Sequence, residues 1–287
     1  MHNTKTRLLT IIKNVWPDFT WKSAKYISTG FDHDIIILDN ATVFRLPKKE
    51  DSVRLLKNEI VLLKILSSRI SLKVPNYHLV SKDFLCTAYP IIKGEELDIN
   101  TFNNLSSKKQ HLLAKQISLF LSELHSTPLK KVAHLELQER FSLEELNELR
   151  NDADSYLHSR ISKKEKGEID EYFSSLSKVF HKSPKKVLVH GDFSGDNMVI
   201  DQHGKLVGVI DFADRAIHDP AFDFIFLWEF GRPFVEDVCD SYQGSKSGLI
   251  ERSRAFAQAN AIWNMVQVAK CNKPGLSKWR AKFKKLK

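Results

Sequence analysis

The sequence predicts an α+β fold in which a small β-rich N-terminal lobe precedes a larger, mainly helical C-terminal lobe. Short apolar runs broken by turn residues fill positions 22–46, which is typical of an antiparallel meander. Beyond residue 104 the apolar positions recur mostly with helical period. Strand patterns return only at 187–210. We expect residues 1–92 and 93–287 to form the two lobes.

The N-terminal lobe is predicted to contain two helices among its strands. Apolar residues at helical spacing indicate a first helix from Thr4 to Trp16, which ends at Pro17. A second helix is expected over Asp51–Leu66. Two further strands are expected at Tyr77–Val80 and Leu85–Ile91, before a hinge at Lys93-Gly94.

The C-terminal lobe is predicted to be helical on either side of its strands. A long helix is expected at Leu105–His125, capped by Ser106 or Ser107. After the strands, helices are expected to the end of the chain, including Leu249–Lys270.

Composition indicates an ordinary globular protein. Of the 287 residues, 42% are apolar and 28% are charged. The three cysteines have no metal-like spacing, so we expect a reducing compartment and, by default, the cytoplasm. No apolar run approaches the length of a membrane helix, and the N-terminus lacks the features of a signal peptide. We expect no nucleic acid or membrane partner, and a monomer.

The net charge of +9 is unevenly distributed. Residues 192–240 hold eleven acids against three bases, whereas 270–287 hold eight Lys and Arg and no acid. The acidic segment suits a cationic substrate, although several of its acids are also expected in any catalytic site of this type. The basic C-terminus is typical of a solvated helix end. Because Trp279, Phe283 and Leu286 share helical spacing, a membrane-surface role stays open.

Three polar residues within 187–223 predict phosphoryl-transfer chemistry. Asp192 precedes Asn197 by five residues, and Asp211 follows a second apolar run. In kinase-type sites one Asp accepts the proton of the attacking hydroxyl, while an Asn and a second Asp hold magnesium on the nucleotide phosphates. The alternative is that these are polar turn residues. The spacing and the flanking strands together favour the catalytic interpretation.

The segments HGDFSGDN and IDFADRAIHDPAFDF resemble the aminoglycoside phosphotransferase family, and most closely its members that act at the 2″ hydroxyl. This resemblance implies a bilobal protein-kinase-like fold. It implies that Asp192 is the catalytic base and that Asn197 and Asp211 are magnesium ligands. It also implies that His190 packs beneath the loop, and that Asp219 orders the loop through backbone hydrogen bonds.

The resemblance also implies a nucleotide site in the N-terminal lobe. Arg45 stands where the pattern usually has Lys, and Glu59 is its expected partner; the less favoured alternative for Glu59 is an ordinary solvated helix residue. The loop 28–34, with Ser28 and Gly30, is expected to cover the phosphates of GTP or ATP.

Two residues before the hinge are expected to bind the purine. Backbone groups of Tyr89 and Ile91 would contact the base, and the Tyr89 ring would restrict the pocket and favour GTP. The alternative for Tyr89 is a packed strand residue with a satisfied hydroxyl.

Asp214 and Glu229 match positions that bind substrate ammonium groups in the same family. Arg232 departs from the acidic pattern of the relatives and would repel a polycation. Trp263 is expected to be a core residue, although it could also form an aromatic wall of the site. The resemblance therefore implies a kinase that phosphorylates an aminoglycoside, with the 2″ hydroxyl as the expected acceptor, and this activity would give antibiotic resistance. The alternatives are a kinase for a macrolide or for a metabolite such as choline or homoserine, and a nucleotide-binding pseudokinase.

Overall fold

A computed structural model describes most of the chain as two compact units. The first unit comprises Met1–Glu96, Pro128–Glu136 and Met198–Ala213, and the second comprises Leu97–Thr127, Leu137–Asn197 and Asp214–Lys287. The division into lobes at residue 92 stays a prediction. The residues that the structure describes are 2–27, 32–135, 137, 142–180 and 184–286.

The described strands and helices follow the predicted alternation. The strands are β1 (Ala24–Ile27), β2 (His33–Leu38), β3 (Thr42–Pro47), β4 (Leu79–Val80), β5 (Thr87–Pro90), β6 (Glu95–Glu96), β7 (Val187–Val189), β8 (Met198–Ile200), β9 (Leu206–Val209) and β10 (Ala216–His218). The helices are α1 (His2–Val15), α2 (Glu50–Leu66), α3 (Ile99–Asn103), α4 (Ser107–His125), α5 (Leu143–Tyr156), α6 (Lys163–Val179), α7 (Arg232–Ser241), α8 (Leu249–Lys270) and α9 (Leu276–Lys285).

The first unit is built on a five-stranded antiparallel sheet in the order β1-β2-β3-β5-β4. The predicted meander and both helices of this region are confirmed. Alternate residues of the strands point to one face, where Ile36 and Phe44 pack against Leu8 and Ile12 of α1. A second sheet, β6-β8-β9, carries the chain to Asp211.

The second unit is mainly helical, as predicted, and α8 lies at its core. Buried residues occupy most faces of α8, which explains why its sequence has little amphipathic character. The predicted Ser106 cap is confirmed, because its side chain accepts a hydrogen bond from the amide of Lys109. The expectation that no strand follows residue 210 is wrong, since β10 pairs antiparallel with β7. Three residues are too few for a periodicity to be detected.

The basic C-terminal helix α9 is attached to the second unit by a buried carboxylate. Glu165 is 8% exposed at its side chain, and it accepts hydrogen bonds from Arg280 and, at 2.9 Å, from Lys284. Phe283 and Leu286 are buried, and Trp279 packs against the same hydrophobic cluster. The chain itself therefore covers Phe283, Leu286 and part of Trp279, and the expectation that the protein has no membrane partner stays a prediction.

We predict that Glu165→Gln loosens α9 and lowers the free energy of unfolding in a pH-dependent manner. Burial acts against ionisation of Glu165, but the hydrogen bonds from Arg280 and Lys284 outweigh it and hold its pKa well below the usual range. A depressed folded-state pKa contributes stability above the unfolded-state value of about 4.3. That contribution is lost as the pH falls below this value.

The measurement is urea unfolding of the parent and of Glu165→Gln at several pH values between about 3 and about 7. The difference in stability should be largest at neutral pH and should shrink in acid. Glu171→Gln, which changes an exposed residue of the same helix, is the control. A difference that is constant with pH would contradict the prediction.

Candidate active site

A buried ionic cluster surrounds Arg45 in the first unit. Arg45 lies on β3 and is 5% exposed, and its Nη1 donates to Glu59 Oε1 on α2 at 2.7 Å. The same nitrogen is 2.8 Å from the hydroxyl of Tyr77. Arg45 Nη2 lies 3.2 Å from His33 Nδ1 and 3.6 Å from Asp211 Oδ1. The structure thus brings together three predicted site residues of this unit.

The charges of this cluster compensate for its burial. Burial alone would lower the pKa of Arg45, but Glu59, Tyr77 and Asp211 raise it well above its ordinary value. His33 is affected in the opposite direction, since burial and the neighbouring Arg45 lower its pKa to about 3. The imidazole is therefore neutral, and it can accept a hydrogen bond from Arg45. His33 and Tyr77 could not be predicted as part of this cluster, because neither belongs to a recognisable motif.

Tyr89 lies beside this cluster and Ile91 follows at the end of β5. The Tyr89 side chain is buried, and its ring meets that of Tyr77 edge-on with a centroid distance of 5.1 Å. Burial raises the pKa of Tyr89 to about 12. The amide of Ile91 already donates to the carbonyl of Ala41 at 2.7 Å, so contact with a base is left to its carbonyl oxygen. Ser28 and Gly30 lie outside the described residues.

In the second unit, Asp192 and Asn197 are held together by direct hydrogen bonds. Asn197 Nδ2 donates to the backbone oxygen of Asp192 at 2.8 Å and to its Oδ2 at 3.0 Å. The amide of Ser194 donates to the same backbone oxygen at 2.9 Å, so the loop forms a tight turn. Because the amide nitrogen of Asn197 is the donor, its amide oxygen is left for a metal or another donor.

The chain requires glycine immediately before Asp192. Gly191 has a φ of +87°, and a Cβ at this position would collide with the carbonyl oxygen of Asp214. Asp214, a predicted substrate residue, is therefore packed through its backbone against the loop that carries Asp192. Its side chain is partly buried.

Asp223 orders this loop, and not Asp219 as the resemblance implied. Asp223 is 1% exposed, and its two carboxylate oxygens accept the amides of His190 and Gly191, each at 2.9 Å. Asp219 instead accepts the amide of Ala221 and forms a buried ion pair with Arg252 at 2.6 Å. Both residues occur in the DPAFD segment, so spacing alone did not distinguish their roles.

Two residues of the helical part complete the support of Asp223. His125 Nε2 lies 3.0 Å from Asp223 Oδ2, and His125 Nδ1 lies 2.7 Å from the hydroxyl of Tyr242. Burial opposes ionisation of Asp223, but the hydrogen bond and charge of His125 lower its pKa below the ordinary value. His190 is fully buried and its ring packs against Phe193, in agreement with the packing role implied for it.

Glu229 is close to this loop but is already paired. It forms an ion pair with Lys282 of α9, and its side chain is 43% exposed. Arg232, the departure from the acidic pattern, pairs with Glu236 at 2.7 Å. Trp263 is 46% exposed, so the expectation that it is a core residue is wrong.

Two residues offer the oxygen ligands expected for magnesium, one in each unit. Asn197 offers an amide oxygen, and Asp211 offers a carboxylate that is 50% exposed and has a φ of +62°. Magnesium prefers hard oxygen ligands of these two types. Asp tolerates a positive φ better than most residues other than glycine, and residues held in this region are frequent at functional sites. The donor chemistry therefore fits a magnesium ion.

The fold and the site define the class of the protein, a phosphotransferase with a kinase-like fold. The structure of the GDP complex of aminoglycoside 2'-phosphotransferase-IIIa is similar to this chain with a TM-score of 0.87 and 21% identity, and 98% of each chain is covered. Macrolide 2'-phosphotransferase type I is similar with a TM-score of 0.71 and 17% identity, covering 97% of this chain and 96% of the other. At these identities the likeness concerns the fold.

Sequence comparisons identify the family. The profile of the phosphotransferase enzyme family matches residues 23–256, so the chain belongs to that family. The uncharacterized protein YcbJ of Bacillus subtilis is 22% identical over 224 residues, which cover 71% of this chain and 69% of that protein. An aminoglycoside 3'-phosphotransferase of Escherichia coli is 38% identical, but over 60 residues that cover only 21% of this chain and 22% of that enzyme. The predicted family and kinase-like fold are confirmed.

We predict that Asp223→Asn destabilises the protein by roughly 3 kcal/mol, since leaving a buried donor without its acceptor typically costs about 1–3 kcal/mol, and more when the lost partner is charged. The new Asn side chain can place its NH₂ group opposite the backbone N–H groups of the loop, so that donors face donors. Urea unfolding gives the free energy, with the exposed Asp240→Asn as the control. A stability equal to that of the parent would show that the loop does not depend on this carboxylate.

Proposed function

We propose that the protein is a magnesium-dependent kinase that transfers the γ-phosphoryl group of GTP or ATP to a hydroxyl of an aminoglycoside. The main support is the geometry of the loop in the second unit. Asn197 is bonded to both the backbone and the carboxylate of Asp192, and Asp223 holds the loop from beneath. These bonds give Asp192 a fixed orientation, as a catalytic carboxylate requires. A pseudokinase would not need to preserve this set.

In the proposed reaction Asp192 accepts the proton of the acceptor hydroxyl. The acceptor oxygen then forms a bond to the γ-phosphorus, while the bond between that phosphorus and the oxygen bridging to the β-phosphate breaks. The proton remains on Asp192 until it exchanges with solvent. Asn197 and Asp211 would hold the magnesium, which neutralises charge on the nucleotide phosphates when it is bound.

Arg45 is proposed to bind the phosphates of the donor. Its guanidinium is ionised and is fixed by Glu59 and Tyr77 through Nη1. A planar guanidinium offers several donors, so it can bind phosphate while it remains paired with a carboxylate. Arg therefore replaces the usual Lys without loss of the charge that the phosphates require.

An aminoglycoside is favoured as the acceptor by the acidic segment 192–240 and by a relative captured with GDP and kanamycin, at 21% identity and a TM-score of 0.85. The proposed site of transfer is the 2″ hydroxyl, and transfer there would give resistance. A macrolide is the second candidate, because a macrolide phosphotransferase shares the fold and Glu229 is already paired with Lys282. A cytoplasmic, monomeric enzyme remains our proposal from the composition.

In the deciding experiment, the purified protein and magnesium are incubated with a panel of acceptors and with GTP or ATP that carries a label on its γ-phosphate. The panel contains kanamycin, gentamicin, a macrolide, choline and homoserine. Labelled kanamycin would support the proposal, and mass spectrometry of the product would locate the phosphate. Transfer to the macrolide alone would select the second candidate. Binding of nucleotide without transfer to any acceptor would favour the pseudokinase.

We predict that Asp192→Asn lowers kcat by roughly 10²–10⁴-fold, the range for loss of a positioned general base. The amide cannot accept the proton, whereas the phosphate contacts of Arg45 do not involve this residue. Nucleotide affinity should therefore change little, which calorimetric titration measures. Asp196→Asn is the matched control in the same loop. Turnover similar to that of the parent would remove Asp192 from the mechanism.

We predict that Tyr89 sets the choice of nucleotide by the bulk of its ring. Tyr89→Met should raise kcat/KM for ATP relative to GTP, because the smaller side chain opens the depth that adenine needs. Tyr89→Phe keeps the ring and should leave the ratio unchanged. Steady-state kinetics with both nucleotides provide the test. If the ratio is the same in all three proteins, Tyr89 is only a packing residue for Tyr77.

A further inference from the structure

The carboxylate of Glu229 already binds an ammonium group that belongs to the chain itself. Lys282 Nζ contacts Glu229 Oε1, and the same nitrogen lies 4.7 Å from the centre of the Trp279 ring. A carboxylate and an aromatic face are the two groups that proteins commonly use to bind an alkylammonium ion. Glu229, Trp279 and Lys282 thus form an occupied ammonium site.

The position of Lys282 is fixed by the helix that carries it. Its neighbour Phe283 is buried in the hydrophobic cluster, and Arg280 and Lys284 are both bonded to Glu165 on α6. These anchors hold α9 in one orientation. Lys282 is therefore presented to Glu229 by a helix that is anchored to the second unit.

The site lies beside the loop that carries Asp192. Phe230, the residue after Glu229, packs against Phe102 with a centroid distance of 4.7 Å. A Cβ built on Gly195 would stand 3.4 Å from the Phe230 ring. The turn that carries Glu229 therefore packs directly on the 192–197 loop. Glu229 thus directly precedes a residue that contacts the loop of Asp192, and this position agrees with the substrate role that the resemblance implies for Glu229.

We propose that Lys282 determines acceptor specificity by occupying Glu229, so that cationic acceptors must displace it or bind without this carboxylate. The proposal rests on the proposed function, since it concerns the acceptor of that reaction. The ion pair is partly exposed, with side-chain exposures of 34% for Lys282 and 43% for Glu229. Displacement is therefore feasible, and the penalty on a cationic acceptor is moderate.

The test is calorimetric titration of kanamycin into the parent and into Lys282→Met, which keeps the length of the side chain and removes its charge. The Kd of kanamycin should fall roughly 3- to 10-fold, since the carboxylate is released and one repelling charge is lost. Lys282→Arg keeps a cation on Glu229 and should bind as the parent does. Lys282→Gln is a second neutral variant, and circular dichroism checks that each protein is folded.

Two controls separate occupancy of Glu229 from a general change of charge. Lys285→Met removes the same charge from an exposed position of α9 and should leave the Kd unchanged. In a Glu229→Gln background, Lys282→Met should no longer tighten binding, because there is no carboxylate to release. KM values for kanamycin and for a macrolide supplement the titration, and only the former should change.

The inference is overturned if Lys282→Met binds kanamycin as the parent does, or if Lys285→Met tightens binding equally. It is also overturned if the gain persists with Glu229→Gln, or if no variant binds kanamycin. The proposed function fails by a different observation, the absence of phosphoryl transfer by the parent to every acceptor. Because the titration does not require turnover, the two failures are distinguishable.

Discussion

The loop that carries Asp192 depends on one buried carboxylate. Asp223 accepts the amides of His190 and Gly191, which follow the end of β7. A buried amide without an acceptor is costly, so the loop conformation and the burial of Asp223 require one another. His125 and Tyr242 extend the same network into the helices. The orientation of Asp192 is therefore a consequence of the helical core.

The buried cluster around Arg45 in the first unit, which we propose binds the nucleotide, follows the same physical logic with opposite charge. A buried guanidinium is tolerated only when it is paired, and Arg45 is paired with Glu59 on a neighbouring helix. The guanidinium of Arg45 also forms hydrogen bonds with Tyr77 and His33. This arrangement positions the cation before any nucleotide is bound. Little binding energy is then needed to order it.

Many of the charged groups in the basic and acidic segments of the chain are engaged by partners within the protein. The basic residues of α9 are used internally, since Arg280 and Lys284 bind Glu165 and Lys282 binds Glu229. Several acids of the segment 192–240 are also committed, Asp219 to Arg252 and Asp223 to the catalytic loop. A net charge counted along the sequence therefore overstates the charge that is available to a partner.

The sequence by itself determined the family, the fold class, the longer helices and strands, and the motif on which the proposed catalytic residues lie. Apolar periodicity predicted α8 and the meander because these elements are long enough for the pattern to repeat. It could not predict β6 or β10, or choose between Asp219 and Asp223, because those outcomes depend on partners distant in sequence. Likewise, the pairing of Glu229 with Lys282 joins residues 53 positions apart. Only tertiary packing brings such groups together, since long-range contacts leave no periodic signal in the chain.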